Sequence, residues 1–256
     1  MIELTRIDML MVLALLPLVA ALSRWRGMPM QTLLWPGVRM VLQLSLLGFV
    51  LEMIFTVRNG FIVLVLLLVM AGFAVQTVVS RLEHRFPGVY QSVTIALLCG
   101  CGSATFYFCN LIVVVDPWYD PRYLIPLAGM VFGNSMTGAS LAAERLTRDL
   151  IRQREEIETY LSLGATPRQA VKTIVHEAYY AALIPTINAM AVMGLVFIPG
   201  MMTGQILSGV EPFTAVAYQI AIMCVISFSV AVTCLLILEL GYRSCFTKAW
   251  QLRRMV

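Results

Sequence analysis

The chain predicts an all-α, polytopic membrane fold of about seven transmembrane helices, with the N-terminus outside and the C-terminus in the cytoplasm. Three observations predict it. The 256 residues are 60% hydrophobic and only 12% charged, with a mean hydropathy of +0.85. Water-soluble domains carry roughly 45–50% apolar and about 25% charged residues, so lipid must act as solvent for this surface. The apolar residues come in runs close to the roughly 20 needed to cross a bilayer. The basic residues gather on alternate connections between those runs.

Candidate spans lie at about 8–23, 36–56, 61–79, 92–115, 124–143, 178–202 and 214–241. The first is short and holds Pro17; Ser23-Arg24-Trp25-Arg26 follows without a convincing cleavage site, so it reads as a retained helix rather than a signal peptide. The sixth carries Pro185 and reaches Pro199-Gly200, where it kinks or ends, leaving 201–210 as a short helix or re-entrant turn. Arg24 and Arg26, Arg81 and Arg85, the cluster from Arg145 to Lys172, and Arg243, Lys248, Arg253 and Arg254 follow spans one, three, five and seven. Only Arg6, Arg58 and Arg122 fall on the other side, and Arg39 lies within span two. That asymmetry sets the orientation. The six cysteines sit mostly inside apolar runs and read as small hydrophobes, not a disulfide framework. Cys99 and Cys101 are two apart on a helix, point to different faces and make no metal pair. The net charge of +4 is small and implies no nucleic-acid partner.

Residues 1–256 read as a single permease-like domain, and 144–177 as the cytoplasmic loop within it. Leu146, Leu150, Ile157 and Leu161 recur there at helical spacings. Arg152–Glu156 and Arg154–Glu158 are i,i+4 pairs that support an exposed helix. Gly164 stops that helix, Thr166 offers an N-cap and Pro167 fits the first turn of the next. The segment from Glu158 through Leu161, Leu163, Gly164, Ala165, Thr166 and Pro167 therefore reads as a capped helical hairpin. It is either solvated without a partner or docks its apolar residues Leu161, Leu163 and Ala165 into a motor domain. The chain contains no G-x-x-x-x-G-K-[ST] phosphate loop, so a pump built on it needs its ATPase from another polypeptide. The spacing from Glu158 to Gly164 is similar to the start of the Glu-Ala-Ala loop of ABC import permeases, although Pro185 stands too far downstream for the full pattern.

Longer blocks carry a closer likeness. Ile125-Pro126-Leu127-Ala128-Gly129-Met130-Val131-Phe132-Gly133-Asn134-Ser135-Met136, Leu161-Ser162-Leu163-Gly164-Ala165-Thr166-Pro167, Ala182-Leu183-Ile184-Pro185-Thr186 and the run from Gly194 through Pro199-Gly200-Met201-Met202 to Gly204 resemble the FetB-like family of bacterial iron-export ABC permeases. Arg39-x-x-x-Gln43 and Tyr218-Gln219-Ile220 fit as well. The resemblance runs from span two to span seven. It implies a permease of the bacterial cytoplasmic (inner) membrane, acting as a homodimer with a separate ATP-binding subunit that carries ATP and Mg. It implies no cofactor on this chain and export of iron or another small cargo; the family also includes plant proteins tied to aluminium tolerance and to nucleotide-sugar transport.

Ionisable and polar groups inside a bilayer usually face protein or a water path. Arg39 either snorkels to headgroups or pairs within the bundle, and Gln43 shares its face. Glu52 is the carboxylate best placed to catch or release a cation, unless it is simply interfacial. Gly129-x-x-x-Gly133 permits close helix packing. Asn134 and Ser135 can line a path beside Asn188. Met130, Met136, Met201 and Met202 offer thioethers, soft ligands suited to Cu(I) more than Fe(II), or else fill irregular core. His84 and His176 fall on the cytoplasmic side, and Glu239 stands one turn from Arg243 as an ion-pair partner. No metal-ligand spacing emerges, so the metal ligands stay unknown. No Ser/His pair, His-Glu-x-x-His or carboxylate dyad points to an intramembrane enzyme. The rivals to iron export are therefore another cargo, such as a nucleotide sugar, and a non-transporting scaffold that recruits an ATPase.

Overall fold

The computed structural model describes residues 6–25, 27, 29–57, 59–247 and 249–253. Every regular element among them is helical; the two β-bridges are isolated pairs. Contacts gather in two units, Met1–Asn59 and Gly60–Val256.

The N-terminal unit holds α1 (Arg6–Leu13), α2 (Leu15–Trp25) and α3 (Gln31–Val57). The first apolar run is thus two short helices. Pro17 has no N–H to give to the carbonyl of Leu13, the last residue of α1, so the hydrogen-bond ladder is interrupted there. Leu16 packs against Gly37 of α3, where an added Cβ would lie 3.1 Å from its Cδ1.

The second unit holds α4 (Gly60–Arg81), α5 (Val89–Tyr107, continued by one π-helical turn to Ile112), α6 (Pro121–Arg152), α7 (Arg154–Ser162), α8 (Pro167–Ala170), α9 (Lys172–Val192), α10 (Gly200–Leu207) and α11 (Pro212–Cys245). α11 packs along both α5 and α6, and α6 also carries α4 and α9. Among the described residues five helices are long and apolar enough to cross a membrane: Leu34–Thr56, Gly60–Arg81, Val89–Ile112, Pro121–Arg152 and Pro212–Cys245. α9 has 21 residues, but with Lys172, His176, Glu177 and Asn188 it holds no 18-residue stretch as apolar as those in the five.

Several expected boundaries move. The fourth span ends at Ile112 rather than 115. The sixth stops earlier than expected, at Val192: Met193 turns extended, Gly194 takes φ +84°, and its N–H closes on Phe197 O at 2.9 Å. Pro199 then caps α10, so the segment after the break is a short helix. The start of the polar stretch from 144 is not a loop but the last turns of α6. At 1.5 Å per residue the 32 residues of α6 reach about 48 Å, against a hydrocarbon core of roughly 30 Å. Its charge-free stretch, 123–143, matches that core, and the turns from Glu144 onward project beyond it.

Close packing does not fall at Gly129-x-x-x-Gly133. Gly129 meets only Met70 at an ordinary 3.5 Å, and Gly133 has nothing within 4 Å. The tight contacts are elsewhere. A Cβ on Gly100 would run into Thr233 Oγ1; one on Gly138 would lie 2.8 Å from Val230 Cγ1, and one on Gly241 3.0 Å from Leu146 Cδ2. Beside Gly100 and Gly138, Ser135 and Ser229, both fully buried, share a hydrogen bond of 2.8 Å between α6 and α11.

Gly100→Ala should lower stability by about 1–3 kcal/mol through overpacking against Thr233. Thr233→Ala, whose lost Oγ1 has no partner, should restore most of it. Thermal unfolding of the detergent-solubilised variants, followed by size-exclusion recovery, reads both; an additive loss in the double variant contradicts the packing assignment.

Candidate functional site

The segment from Glu158 to Pro167 is built from two helix ends. α6 bends at Gln153 (φ −102°, ψ 23°) into α7, and the hydrogen bonds run through the bend: Gln153 N–H to Asp149 O at 2.9 Å and Ile157 N–H to Gln153 O at 3.0 Å. Ile157, 1% exposed, anchors α7. Of the two expected ion pairs, Arg154–Glu158 forms, with Nε to Oε1 at 2.8 Å. Arg152–Glu156 does not, because the bend separates the last residue of α6 from the first turn of α7 and removes their i,i+4 geometry.

α7 ends in a Schellman motif. Gly164, at φ +90°, donates to Leu161 O at 3.0 Å, and Ala165 N–H reaches Tyr160 O at 3.0 Å. A side chain at this φ would be strained, which is why glycine closes the helix. Thr166 then caps α8 in a capping box: Thr166 N–H donates to Gln169 Oε1 at 2.9 Å and Gln169 N–H to Thr166 Oγ1 at 3.4 Å, with Pro167 at the first helical position. Five residues after Pro167, α9 begins at Lys172. The turn is therefore held by its own hydrogen bonds, and it presents Leu163 outward at 80% exposure while Leu161 and Ala165 are half-buried.

Ion pairs tie the base of this segment to the bundle. Arg145 Nε contacts Asp149 Oδ2 at 2.8 Å, and its Nη2 contacts Glu177 Oε2 at 3.2 Å, joining α6 to α9. Arg168, in α8, lies 3.8 Å from Glu239 of α11, which also pairs with Arg243 at 3.5 Å. The Glu239–Arg243 pair was legible from spacing; the part of Arg168 was not. The C-terminal turn lies beside α7 as well. Ala249, Trp250, Gln251 and Leu252 face Arg154, Glu158 and Leu161 across a groove of about 550 Å³. Phe246 bridges to Leu252, and Arg253 N–H reaches Cys245 O at 2.8 Å.

The path candidates separate into groups. Arg39, Gln43 and Glu52 are exposed on α3 of the N-terminal unit, and their side chains make no hydrogen bond or ion pair among the described residues. Asn134 is exposed and donates to Met130 O of its own helix at 2.8 Å, not to Asn188, which is exposed on α9. Ser135 is spent on Ser229. Met130 and Met201 do come together: both line a cavity of about 330 Å³ between α5, α6, α10 and α11, with Cys109, Arg122, Gln205 and Tyr218. Met202 is half-buried outside it. Among the described residues no group of three or more His, Cys, Asp or Glu is arranged to hold a metal ion. Sequence reasoning missed Ser229; Ser229 and Thr233, one turn apart in the middle of an apolar helix, were the available signal.

Residues 6–246 match the family described as Uncharacterised protein family (UPF0014). The chain belongs to that family. It is 39% identical to the UPF0014 membrane protein slr1647 of Synechocystis over 255 residues, covering 98% of each chain. It is 36% identical to Protein ALUMINUM SENSITIVE 3 of Arabidopsis thaliana over 219 residues, covering 85% of this chain and 78% of the relative. It is 32% identical to the probable iron export permease protein FetB of Escherichia coli over 220 residues, covering 86% and 83%. No solved structure matches. With relatives named as membrane proteins and a permease, and with its apolar spanning helices, the chain is an integral membrane protein, as expected for a bacterial inner membrane.

Thr166→Ala should cost about 1 kcal/mol of local stability, since it removes the acceptor for Gln169 N–H. Hydrogen exchange at residues 168–171 should quicken several-fold while exchange in α5 and α11 stays unchanged. Equal quickening in all three would show that the cap supports the whole bundle rather than the turn.

Proposed function

We propose that this chain is the membrane-spanning permease subunit of an ABC transporter, driven by ATP hydrolysed with Mg on a separate subunit and exporting iron from the cytoplasm. In this reading the α1–α2 pair, α3, α4, α5, α6, α9 and α11 make seven crossings, with the N-terminus outside and two copies of the chain facing two ATPase subunits. The observation that carries this reading is the capped α7–α8 turn: a rigid polar segment that presents an exposed leucine, Leu163, and is fixed to the bundle by ion pairs at its base. A turn serving only as a linker needs neither the outward leucine nor the capping. The iron cargo is supported by the name of the Escherichia coli relative alone. The name of the Arabidopsis relative points to aluminium, so the same machine with a different cargo is the second reading.

In this reading, closure of the motor dimer on ATP pushes the Glu158–Pro167 segment. The push reaches α6 through the hydrogen-bonded bend at Gln153, α9 through Arg145–Glu177, and α11 through Arg168–Glu239. Met130 and Met201, on α6 and α10, line the cavity that such a motion would reshape.

Leu163→Asp should abolish co-purification of the ATPase while membrane insertion and thermal stability stay unchanged, because an exposed side chain contributes little to folding. In liposomes holding the pair, ATP should move Fe(II), and inactivating the ATPase should stop it. Assembly with ATP hydrolysis but no iron movement would leave the permease assignment and overturn the iron; binding without ATP-driven flux of any metal or of a nucleotide sugar would favour a scaffold.

A further inference from the structure

Beneath the α7–α8 turn, a cleft of about 570 Å³ opens between the start of α9 and the end of α11. Its floor is apolar, formed by Val171, Val175, Leu235 and Leu238, and half-exposed Leu235 opens it toward the outer surface of α11. Its rim is cationic: Arg168 and Lys172, with His176 beside them. The one carboxylate there, Glu239, is shared between Arg168 at 3.8 Å and Arg243 at 3.5 Å. Lys172 has no carboxylate partner among the described residues. Three cations to one carboxylate leave the site with excess positive charge.

The height of the cleft matters. The charge-free stretch of α11 ends at Leu238, so Glu239 marks the edge of the hydrocarbon. Below that level the floor faces acyl chains; above it the rim faces headgroups. We propose that this cleft binds an anionic phospholipid, its phosphate held by Arg168 and Lys172 and its acyl chains laid on Val175 and Leu235. Basic pockets between helices at a membrane surface recognise lipid phosphate in this way. A soluble anion would use the rim but leave the apolar floor uncovered. The bound phosphate takes up the charge on Lys172 and draws on Arg168, which stands one residue beyond Pro167. Lipid occupancy thereby sets how firmly the α8 turn is fixed to α11. The assignment is independent of cargo and of the ATPase.

The full-length chain, released gently from detergent, tests it by native mass spectrometry with phosphatidylglycerol and phosphatidylcholine at equal concentration. Wild type should retain phosphatidylglycerol in preference. The preference should fall roughly fivefold for each basic side chain removed in Arg168→Gln and Lys172→Gln, from about 1 kcal/mol per cation at an anionic lipid surface. It should survive the charge-conserving pair Arg168→Lys with Lys172→Arg, which also shows that the fold is intact, and the distant control Arg152→Gln. Equal retention of both lipids by wild type overturns the site. So does an unchanged preference in the doubly neutralised variant. Displacement of phosphatidylglycerol by millimolar inorganic phosphate would overturn the lipid in favour of a free phosphate ligand.

Discussion

Between helices in a bilayer the apolar faces gain little by leaving lipid, since the acyl chains are as apolar as the side chains. The bundle from Gly60 to Val256 must therefore be held by close approach and by polar pairs. Both occur where α11 meets α5 and α6. Gly100 makes room for Thr233, Gly138 for Val230 and Cys234, and Gly241 for Leu146. Ser135 and Ser229 satisfy each other at 2.8 Å in the layer of Gly100 and Gly138, with zero exposure on either side. Cys101, fully buried from α5, adds a weak contact with Val131 O at 4.0 Å. A hydroxyl without a partner at this depth is costly, so the serine pair fixes the rotation of α6 against α11 as well as their separation.

That constraint explains which parts of the fold were legible. Apolar length located the five long helices, because the bilayer imposes that length independently of packing. The α7–α8 turn was legible down to single residues. Glycine at positive φ, a threonine cap and a proline at the first turn act through their own backbone geometry, and Gly164, Thr166 and Pro167 need no distant partner to do so. Contacts between helices were not legible. Gly129 and Gly133 have the textual spacing of a packing motif, yet Gly100 and Gly138, which lack it, make the approaches. Which face of a uniformly apolar helix turns inward depends on its neighbours, and composition does not encode that choice. Arg152–Glu156 failed for a related reason: spacing counts residues along an ideal helix, and the bend at Gln153 intervenes.

The candidate site was legible in part for the same reason. The residues proposed for coupling, Glu158 to Pro167, form one local segment, and its turn is readable from neighbouring residues. The path residues were gathered from three spans by chemical type. The structure spends Ser135 on packing and Asn134 on its own helix, and it seats only Met130 and Met201 in a common cavity. Thioethers suit soft cations better than Fe(II), and no cluster of harder ligands stands among the described residues.

α6 connects these features in one element. It carries Met130 beside the cavity, Ser135 and Gly138 in the packed layer, Arg145 and Asp149 at the charged base, and it continues through Gln153 into the α7 turn. From Met130 to Arg152 is about 33 Å along a helix with 1.5 Å rise. An α-helix transmits displacement along its axis because each turn is hydrogen-bonded to the next. Its serine pair with α11 lies between the two ends, nearer the cavity. Under the coupling proposed above, a push at α7 enters α6 at one end while the Ser135–Ser229 pair holds the helix nearer the other. If the Glu158–Pro167 segment is where force enters, the position of Ser135–Ser229 sets how much of that force reaches Met130.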